Sequence, residues 1–399
     1  MRAALGPGVE VFYSVKANPS LGVCRLIAGT GPAGAEIASS GELVLARAAG
    51  FAPADIVFAR PGKSDEELHR AVEEGIYAVN VESLGEIDRL AAAAGALGRT
   101  VGVGLRINPD AQLTGSHMRM GGAASQFGLD QADLGEAIQK VLAQPALLLR
   151  GVHVYTATQV FDTEALLGHC RNVLEIALDV ADRAEGTIGM VDLGGGFGVP
   201  YFENMMDFDL EEFGGGFQRL LQAFRSDPRL VGCRFIFELG RYLVAEAGVY
   251  VMRVVDVKLS RGKTFVVADG GMNHHSAATG NFGGVFRKSY PLLNLSRRKG
   301  REELVAVVGP CCTPLDSFGA KITLTRPEVG DLIGVFYSGA YGYSSSKPAF
   351  LSRSTPAEVL LWEGRSYLLR GAGKPEDVLE GQVMRPMMSG GSGLQEQFR

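Results

Sequence analysis

The sequence predicts an α/β protein in which a (β/α)8 barrel is followed by a smaller β domain, itself a β-barrel or β-sandwich. From residue 10 to about residue 246, short β-branched runs alternate with longer stretches rich in Ala, Leu and Glu, which is typical of βα units around a parallel sheet. So many units in one region fit a closed barrel better than an open sheet. Beyond residue 246, strands follow one another with only turns between them, which indicates a β domain.

The βα units can be followed in order along the first part of the chain. The predicted strands lie in "VFYSVKAN" (11–18), "DIVFARP" (55–61), "YAVNVES" (77–83), "TVGVGLRINP" (100–109), "LRGVHVYTAT" (149–158), "IGMVDLGGGFG" (188–198) and "CRFIFELGRYLVAEAG" (233–248). The predicted helices lie in 19–30, 64–75, 84–97, 163–185 and 211–227. Ser64 before "DEEL" is a typical helix N-cap.

The β domain is predicted from four stretches with few helical patterns. They are "VYVMRVVDVKLSRGKTFVVADGG" (249–271), "LVAVVGP" (304–310), "GDLIGVFYSGAYG" (330–342) and "AEVLLWEGRSYLLRG" (357–371). The periodicity is lost from about residue 371, as in a frayed terminus. We therefore expect a barrel over 10–246, a β domain over 247–370 and a C-terminal tail over 371–399.

Composition narrows the classes of function. A net charge of −5 over 399 residues argues against a general nucleic-acid or anionic-membrane surface. The five cysteines form neither CxxC pairs nor a regular framework, so we expect no disulfides and no metal site. The sequence shows no apolar stretch of membrane-spanning length and no signal-peptide pattern at its start. We expect a cytoplasmic protein.

Lys16 lies within the apolar run "VFYSVKANPS". One interpretation places it on the solvated face of a strand that ends at the turn signal Asn18-Pro19. The other places it in a desolvated pocket, where burial lowers the pKa of an ammonium group and leaves an amine able to form a Schiff base. The second interpretation requires a cofactor with a carbonyl group.

Two other strand ends carry residues suited to such a cofactor, and barrels place their chemistry at the carboxyl ends of their strands. The glycines of "DLGGGFG" (192–198) allow backbone N–H groups to surround an anion, although a tight turn also explains them. In "FELGR" (237–241), Glu238 and Arg241 follow another strand, although a surface ion pair would serve as well. A lysine for an imine, a phosphate cradle and a carboxylate for a pyridine nitrogen together predict pyridoxal 5'-phosphate.

The chain resembles the fold-type III pyridoxal-phosphate decarboxylases, which include diaminopimelate, ornithine and arginine decarboxylases and share an alanine-racemase-like barrel. The motifs that carry the resemblance are "YSVKAN", "AEIASSGEL", "LRINP", "SQFGL", "DLGGGFG", "ELGR", "VVADGGMN", "GPCCTPLD" and "SGAYG". "CTPLD", "GNFG" and "SGAYG" look most like the subgroup of the butirosin-type, carrier-protein-linked glutamate decarboxylase and its exosortase-associated relatives.

The resemblance implies roles for individual residues. Lys16 would form the Schiff base, Glu238 would bind the pyridine nitrogen, and Cys312 would deliver a proton across the two-fold interface of a homodimer with shared active sites. Tyr155 stands where the family usually has a ring-stacking histidine, and Thr158 would take over a phosphate contact. The other implied cofactor-binding residues are Glu36, Arg106, Gly195, Gly196, Gly240, Arg241 and Tyr341.

Departures from the family concern the substrate. Ala277 and Ala278 stand where diaminopimelate decarboxylases carry an arginine for the distal carboxylate, and Thr313 stands where the family carries an acid for the distal ammonium. A buried charge without a partner costs several kcal/mol, so these residues argue against a free diamino acid. The candidate substrate residues are His274, His275, Asn281, Thr313 and Asp316, with Arg287 nearby.

The resemblance therefore implies a decarboxylase, a carboxy-lyase that acts on an amino acid without a free distal charge. A glutamyl group tethered to an acyl carrier protein is the candidate substrate. Decarboxylation of free meso-diaminopimelate, ornithine or lysine is the alternative. A racemase is a third possibility, against which Glu238 counts, and a non-catalytic antizyme-like role is a fourth, against which Lys16 and Cys312 count.

Overall fold

The structure is a computed structural model that describes residues 1–31, 33–110, 124–202, 205–280 and 289–383, together with the backbone of 118–119. The strands of the first part are β1 (Val9–Ser14), β2 (Gly34–Ile37), β3 (Ile56–Ala59), β4 (Ala78–Val81), β5 (Val101–Asn108), β6 (Met118–Arg119), β7 (Leu129–Asp130), β8 (Leu147–His153), β9 (Ala157–Thr158), β10 (Met190–Asp192) and β11 (Arg234–Leu239). The helices are α1 (Arg2–Leu5), α2 (Leu21–Thr30), α3 (Ser40–Ala49), α4 (Asp65–Glu74), α5 (Leu84–Leu97), α6 (Leu134–Leu142), α7 (Thr163–Arg183), α8 (Leu210–Arg225) and α9 (Arg241–Val244).

Eight parallel strands close into a barrel. Their order is β4-β3-β2-β1-β11-β10-β8-β5, and pairing of β4 with β5 closes the ring. Strands β2, β3, β4 and β5 are buried along their whole length, as expected for a sheet with helices outside and side chains inside. The predicted barrel is therefore confirmed.

The barrel interior changes from apolar to polar toward the carboxyl ends of the strands. An apolar layer is formed by Phe12, Val57, Ala78, Met190 and Ile236. Nearer the carboxyl ends lie polar side chains that are at most 4% exposed, namely Glu36, His153, Asp192 and Glu238. Buried charges of this kind need partners, so this end of the barrel is where a site is expected.

The helices begin where the sequence provides caps. The Ser64 hydroxyl accepts a hydrogen bond from the Glu67 backbone N–H, and the Ser64 backbone N–H donates to the Glu67 side chain, which completes a capping box. Ser39 and Ser83 cap α3 and α5 in the same way through their side chains. Such caps satisfy N–H groups that lack partners within the helix. Among the described residues, no helix is long and apolar enough to cross a membrane.

The second part of the chain is built on a six-stranded sheet in the order β14-β17-β12-β13-β15-β16. These strands are β12 (Tyr250–Ser260), β13 (Lys263–Ala268), β14 (Leu292–Asn294), β15 (Glu302–Val308), β16 (Ser317–Thr325) and β17 (Leu332–Val335). The sheet is antiparallel except where β13 pairs with β15. A hairpin of β18 (Glu358–Trp362) and β19 (Arg365–Arg370) follows it.

The sequence patterns did not predict β14 or β16. Strand β14 has three residues, which is too short for an alternating pattern. Strand β16, "SFGAKITLT", contains Gly319 and Lys321, which weaken a strand pattern, and its pairing with β15 provides the structure that its sequence lacks. The predicted tail contains a 3-10 turn at Pro375–Leu379, and residues 384–399 lie outside the described residues.

Candidate active site

Lys16 lies in a 3-10 turn, Val15–Ala17, directly after β1. Its Nζ donates to both carboxylate oxygens of Glu36, at 2.8 and 2.9 Å. Glu36 comes from the end of β2, the neighbour of β1 in the barrel, and its side chain is 1% exposed, whereas that of Lys16 is 40% exposed. Glu36 therefore holds the amine of Lys16 in place, and the amine remains accessible from the pocket.

The interpretation that desolvation lowers the pKa of Lys16 was wrong, because the pKa is raised in this structure. Burial does push the pKa of the ammonium down, but the carboxylates of Glu36 and Glu238 outweigh it and raise the pKa above its usual value. An ammonium in contact with a buried carboxylate keeps its proton. Glu36 thus fixes Lys16 as a cation, and the amine must lose this proton before it can act as a nucleophile.

Glu238 lies near the end of β11 and contacts two buried neighbours. His153 Nε2 lies 3.2 Å from Glu238 Oε2, and one carboxylate oxygen of Asp192 belongs to the same cluster. Burial alone would raise the pKa of Glu238, but His153, Lys16 and Asp192 together lower it to about 2. Glu238 is therefore an anion, and its Oε1 has no hydrogen-bond partner among the described residues.

The glycine loop after β10 passes close to two carbonyl groups. A Cβ atom at Gly195 would overlap the Glu238 carbonyl oxygen, and one at Gly196 would overlap that of Ala157. Gly194 and Gly196 also have φ angles of 65° and 93°, a region that glycine adopts without strain. The loop can follow this path only with glycine, and it leaves backbone N–H groups available to an anion.

Arg241 borders the same pocket as the glycine loop. Its Nη1 donates to the Tyr201 hydroxyl at 3.0 Å, and its guanidinium lies 4.6 Å from the ring centroid of Tyr341. The buried Nε has no partner among the described residues, which suits binding of a phosphate oxygen. Tyr341 adopts a φ of 53°, and its backbone N–H donates to the Ala17 carbonyl at 2.7 Å, so this β-domain loop is anchored beside Lys16.

One pocket brings together most of the residues predicted to bind the cofactor. It is lined by Ser14, Lys16, Tyr155, Thr158, Gly196, Phe197, Glu238, Leu239, Gly240, Arg241, Tyr242 and Tyr341. Lys16 Nζ lies 5.9 Å from the centroid of the Tyr155 ring, so the tyrosine lies beside the lysine, and its predicted stacking on the cofactor stays a prediction. The unpartnered Glu238 oxygen, the unpartnered Arg241 Nε and the glycine loop fit the nitrogen and the phosphate of pyridoxal phosphate.

Arg106 lies elsewhere at the same end of the barrel. Its Nη1 donates to Glu82 Oε1 at 2.8 Å, and its guanidinium lies 4.9 Å from the centroid of the Phe127 ring. It is not among the residues that line the pocket. Its predicted role in binding the cofactor therefore stays a prediction, and its observed partner is the buried carboxylate of Glu82.

Sequence reasoning missed His169, which lies in α7 and is buried. Its Nδ1 is 3.2 Å from the Thr156 hydroxyl and its Nε2 is 3.1 Å from the Leu193 carbonyl. Burial lowers the pKa of His169 to about 4, so the neutral ring accepts from Thr156 and donates to Leu193. The histidine connects the segment of Tyr155 to the glycine loop. The sequence did not indicate a role for His169, because its position in the helix matches that of any residue that packs in the core.

The residues predicted for catalysis and substrate binding in the β domain lie on loops. Cys312 is exposed in the single chain, and the neighbouring Cys311 is buried. Asp316 is buried and accepts backbone hydrogen bonds from Met272 and Cys311, both at 2.7 Å. Asp316 therefore connects the loop that contains Met272 to the loop that contains Cys311. Thr313 is half-buried and its hydroxyl accepts from the Leu315 backbone N–H.

The two predicted histidines have different surroundings. His274 is half-buried, with Nδ1 3.0 Å from the Tyr250 hydroxyl and Nε2 2.9 Å from the Ser354 carbonyl. His275 is 1% exposed, and burial lowers its pKa to about 4. Neither lines the pocket of Lys16. Asn281 and Arg287 lie outside the described residues.

The fold and the pocket define a barrel enzyme of the class that holds a phosphate-bearing carbonyl cofactor on a lysine. A family model described as "Pyridoxal-dependent decarboxylase, pyridoxal binding domain" matches residues 1–245. The chain belongs to this family of pyridoxal-dependent decarboxylases, and its cofactor is pyridoxal phosphate.

Individual relatives agree with this assignment. The L-glutamyl-[BtrI acyl-carrier protein] decarboxylase of Niallia circulans is 37% identical over 387 residues, which are 96% of this chain and 90% of the relative. The diaminopimelate decarboxylase of Zymomonas mobilis is 32% identical over 371 residues, which are 92% of this chain and 84% of the relative. The crystal structure of Helicobacter pylori diaminopimelate decarboxylase complexed with L-lysine superposes with a TM-score of 0.84 at 28% identity, over 94% of this chain and 91% of that one.

Proposed function

We propose that this enzyme removes the α-carboxyl group of an amino acid that lacks a free distal charge, with a glutamyl group tethered to an acyl carrier protein as the substrate. The observation that carries the proposal is the turn Ala277–Thr279, which is buried and has no charged side chain. By the resemblance in sequence, Ala277 and Ala278 stand where diaminopimelate decarboxylases carry an arginine for the distal carboxylate. Thr313 offers no negative charge to a distal ammonium. The similarity to the Niallia circulans enzyme supports the same substrate class.

The residues of the pocket divide the work of decarboxylation. Bound pyridoxal phosphate supplies an electron sink for the pair released when the bond to the carboxyl group breaks. Arg241 and the glycine loop would hold the phosphate, and Tyr155 would contact the ring. Glu238, an anion, keeps a proton on the pyridine nitrogen. Lys16 would carry the cofactor, and Glu36 holds the lysine side chain in place through two hydrogen bonds.

We further infer a homodimer in which Cys312 of each protomer serves the pocket of the other. In the single chain, Cys312 is exposed and is not among the residues that line the pocket of Lys16. A two-fold interface brings the same surface patch of both copies together. Cys312 Sγ then delivers the proton that replaces the carboxyl group on the α-carbon.

A substrate panel tests the proposed substrate class. Carbon dioxide release is measured from carrier-loaded glutamate, free glutamate, meso-diaminopimelate, ornithine and lysine under the same conditions. We expect the highest kcat/KM with carrier-loaded glutamate. Faster release from meso-diaminopimelate would instead support the alternative function, which the diaminopimelate decarboxylase relatives favour. Racemisation of an amino acid without release of carbon dioxide would contradict both.

Thr313→Glu should change the specificity toward free diamino acids. The new carboxylate would pair with a distal ammonium, and removing one unpaired charge is worth a few kcal/mol. We expect kcat/KM for lysine or ornithine to rise by about tenfold or more. Thr313→Gln, which is of similar size but uncharged, is the control and should leave it unchanged. Equal effects of both substitutions would show that Thr313 does not face the distal group.

A further inference from the structure

Three buried side chains meet at the carboxyl ends of neighbouring barrel strands. His153 ends β8, Asp192 ends β10, and Glu238 lies near the end of β11. They are 1%, 0% and 4% exposed. One ring nitrogen of His153 and one oxygen from each carboxyl group lie within 4.8 Å of one another. The role proposed for Glu238 accounts for only one member of this cluster.

The hydrogen bonds of the cluster leave one oxygen of each carboxyl group without a partner. Asp192 Oδ1 accepts the Gly194 backbone N–H at 3.0 Å, and Glu238 Oε2 accepts from His153 Nε2 at 3.2 Å. Asp192 Oδ2 and Glu238 Oε1 have no partner among the described residues. An oxygen of Asp192 and an oxygen of Glu238 lie within 4.8 Å of each other, so two ionised carboxylates in this buried site would repel each other, whereas one proton between the two groups would remove the repulsion.

The surroundings decide which carboxyl group carries that proton. Glu238 has His153 as a donor and lies within reach of the positive charge of Lys16. The pKa of Asp192 is raised first by burial and then by the negative charge of Glu238, with a smaller contribution from Glu36. The titratable groups around Asp192 are His153 on β8, Glu238 on β11 and Glu36 on β2, with Lys16 bound to Glu36 and Arg106 on β5 bound to Glu82. The proton therefore belongs on Asp192.

We propose that Asp192 is a positioning residue whose protonated carboxyl group donates from Oδ2 to Glu238 Oε1, and so holds Glu238 as an anion directed at the cofactor nitrogen. Burial, followed by the charge of Glu238, raises the pKa of Asp192 well above its usual value, in agreement with this geometry. A carboxylate oxygen has two lone pairs, so Oε1 can accept from Asp192 and from the pyridine N–H together.

The arrangement connects the two halves of the cofactor site. Through Oδ1, Asp192 fixes the start of the glycine loop at Gly194, and through Oδ2 it fixes the carboxylate that faces the ring nitrogen. One side chain therefore sets the distance between the phosphate cradle and the nitrogen partner. The inference rests on the role proposed for Glu238, but the protonation of Asp192 can be measured without cofactor, so the two can fail separately.

Asp192→Asn tests the protonation of Asp192 in the full-length protein without added cofactor. The amide imitates a protonated carboxyl group, because its oxygen can accept from Gly194 while its nitrogen donates to Glu238. Unfolded wild-type chain carries an ionised Asp192 above about pH 4, so folding takes up a proton and wild-type stability falls as pH rises toward the folded pKa. We expect the Tm of Asp192→Asn minus that of wild type to grow by about 5 °C between about pH 5 and pH 8. A difference that does not change with pH would overturn the proposal.

Two further measurements address the bonding directly. The infrared difference spectrum of wild type minus Asp192→Asn near neutral pH should contain the carbonyl band of a protonated carboxyl group. The partly protonated Glu42 contributes to both spectra and cancels. Cofactor affinity, measured by fluorescence titration, should stay within about threefold of wild type in Asp192→Asn and fall about tenfold or more in Asp192→Ala. If Asp192→Ala does not fold, the other results decide. Stoichiometric divalent metal that is lost in Asp192→Asn would overturn the proposal in favour of a metal site.

Discussion

Among single residues, Lys16 and Glu36 form an ion pair that bears on the proposed role of Lys16. The 2.8 Å ion pair favours the protonated amine, which is the unreactive form of the nucleophile that we propose. The folded-state pKa of Lys16 is raised, so the stability from this pair is complete below the pKa of the unfolded lysine, about 10.4. This stability is lost as pH rises above that value toward the folded-state pKa.

Glu36→Gln should speed attachment of the cofactor to Lys16. Without the carboxylate, the pKa of Lys16 falls and more of the amine is neutral at pH 7, by about tenfold for each unit by which the pKa falls. Stopped-flow absorbance of the cofactor measures the rate, and its rise with pH should begin at a lower pH in the variant.

Glu42→Gln is the control for this prediction. Glu42 lies in the same region, and burial raises its pKa to about 7, so it is already partly neutral near pH 7. The rate of cofactor attachment in Glu42→Gln should match wild type. A Glu36→Gln curve that coincides with the wild-type curve would show that Glu36 does not govern the lysine.

The positions of Lys16, Glu238 and the glycines at strand ends were predictable from the sequence, whereas the hydrogen-bond partners of these residues were not. Lys16, Glu238 and the glycines follow strands in the sequence, and the ends of parallel strands meet in a barrel. That Glu36 bonds Lys16 while Arg106 bonds Glu82 depends on side-chain directions at the barrel end. A one-dimensional pattern does not contain these directions.

At the scale of elements, the glycine loop after β10 is shaped by close approach of backbone to backbone. Gly195→Ala should weaken cofactor binding by tenfold or more and destabilise the barrel by about 1–3 kcal/mol, because the new methyl group would overlap the Glu238 carbonyl. Fluorescence titration and urea unfolding measure the two effects. Gly186→Ala is the matched control, since its Cβ would have 3.7 Å to the nearest atom. Equal results for the two variants would contradict the close approach.

Helix α7 supports the pocket through His169, and removing this support should affect cofactor binding. His169→Leu leaves the Leu193 carbonyl and the Thr156 hydroxyl without partners, which costs about 1–3 kcal/mol for a buried group. We expect lower stability in urea and a cofactor Kd raised several-fold. Cys170→Ala, at the next buried position of α7, should lower stability without changing the Kd. A His169→Leu protein with wild-type Kd would show that the loops hold their places unaided.

At the scale of the whole molecule, the proposed dimer makes Lys16 and Cys312 parts of one site from two chains. Lys16→Ala and Cys312→Ala homodimers should each have very low activity. When the two are unfolded together and refolded in equal amounts, half of the dimers are mixed, and each mixed dimer has one intact site of two. We expect recovery to about a quarter of wild-type activity. If mixing restores nothing, both residues serve the pocket of their own chain.

The order of the residues alone predicted the barrel and the cofactor, and the resemblance to known decarboxylases implied the reaction class. Alternating βα patterns require a parallel sheet, and Lys16, the glycine loop and Glu238 stand at strand ends where such a sheet collects its chemistry. Only the tertiary structure decided the charge of Lys16, the bonding of Asp192 and the support from His169. The protonation of a buried group depends on which charges lie within a few ångströms of it, and those neighbours come from strands and helices far apart in the chain.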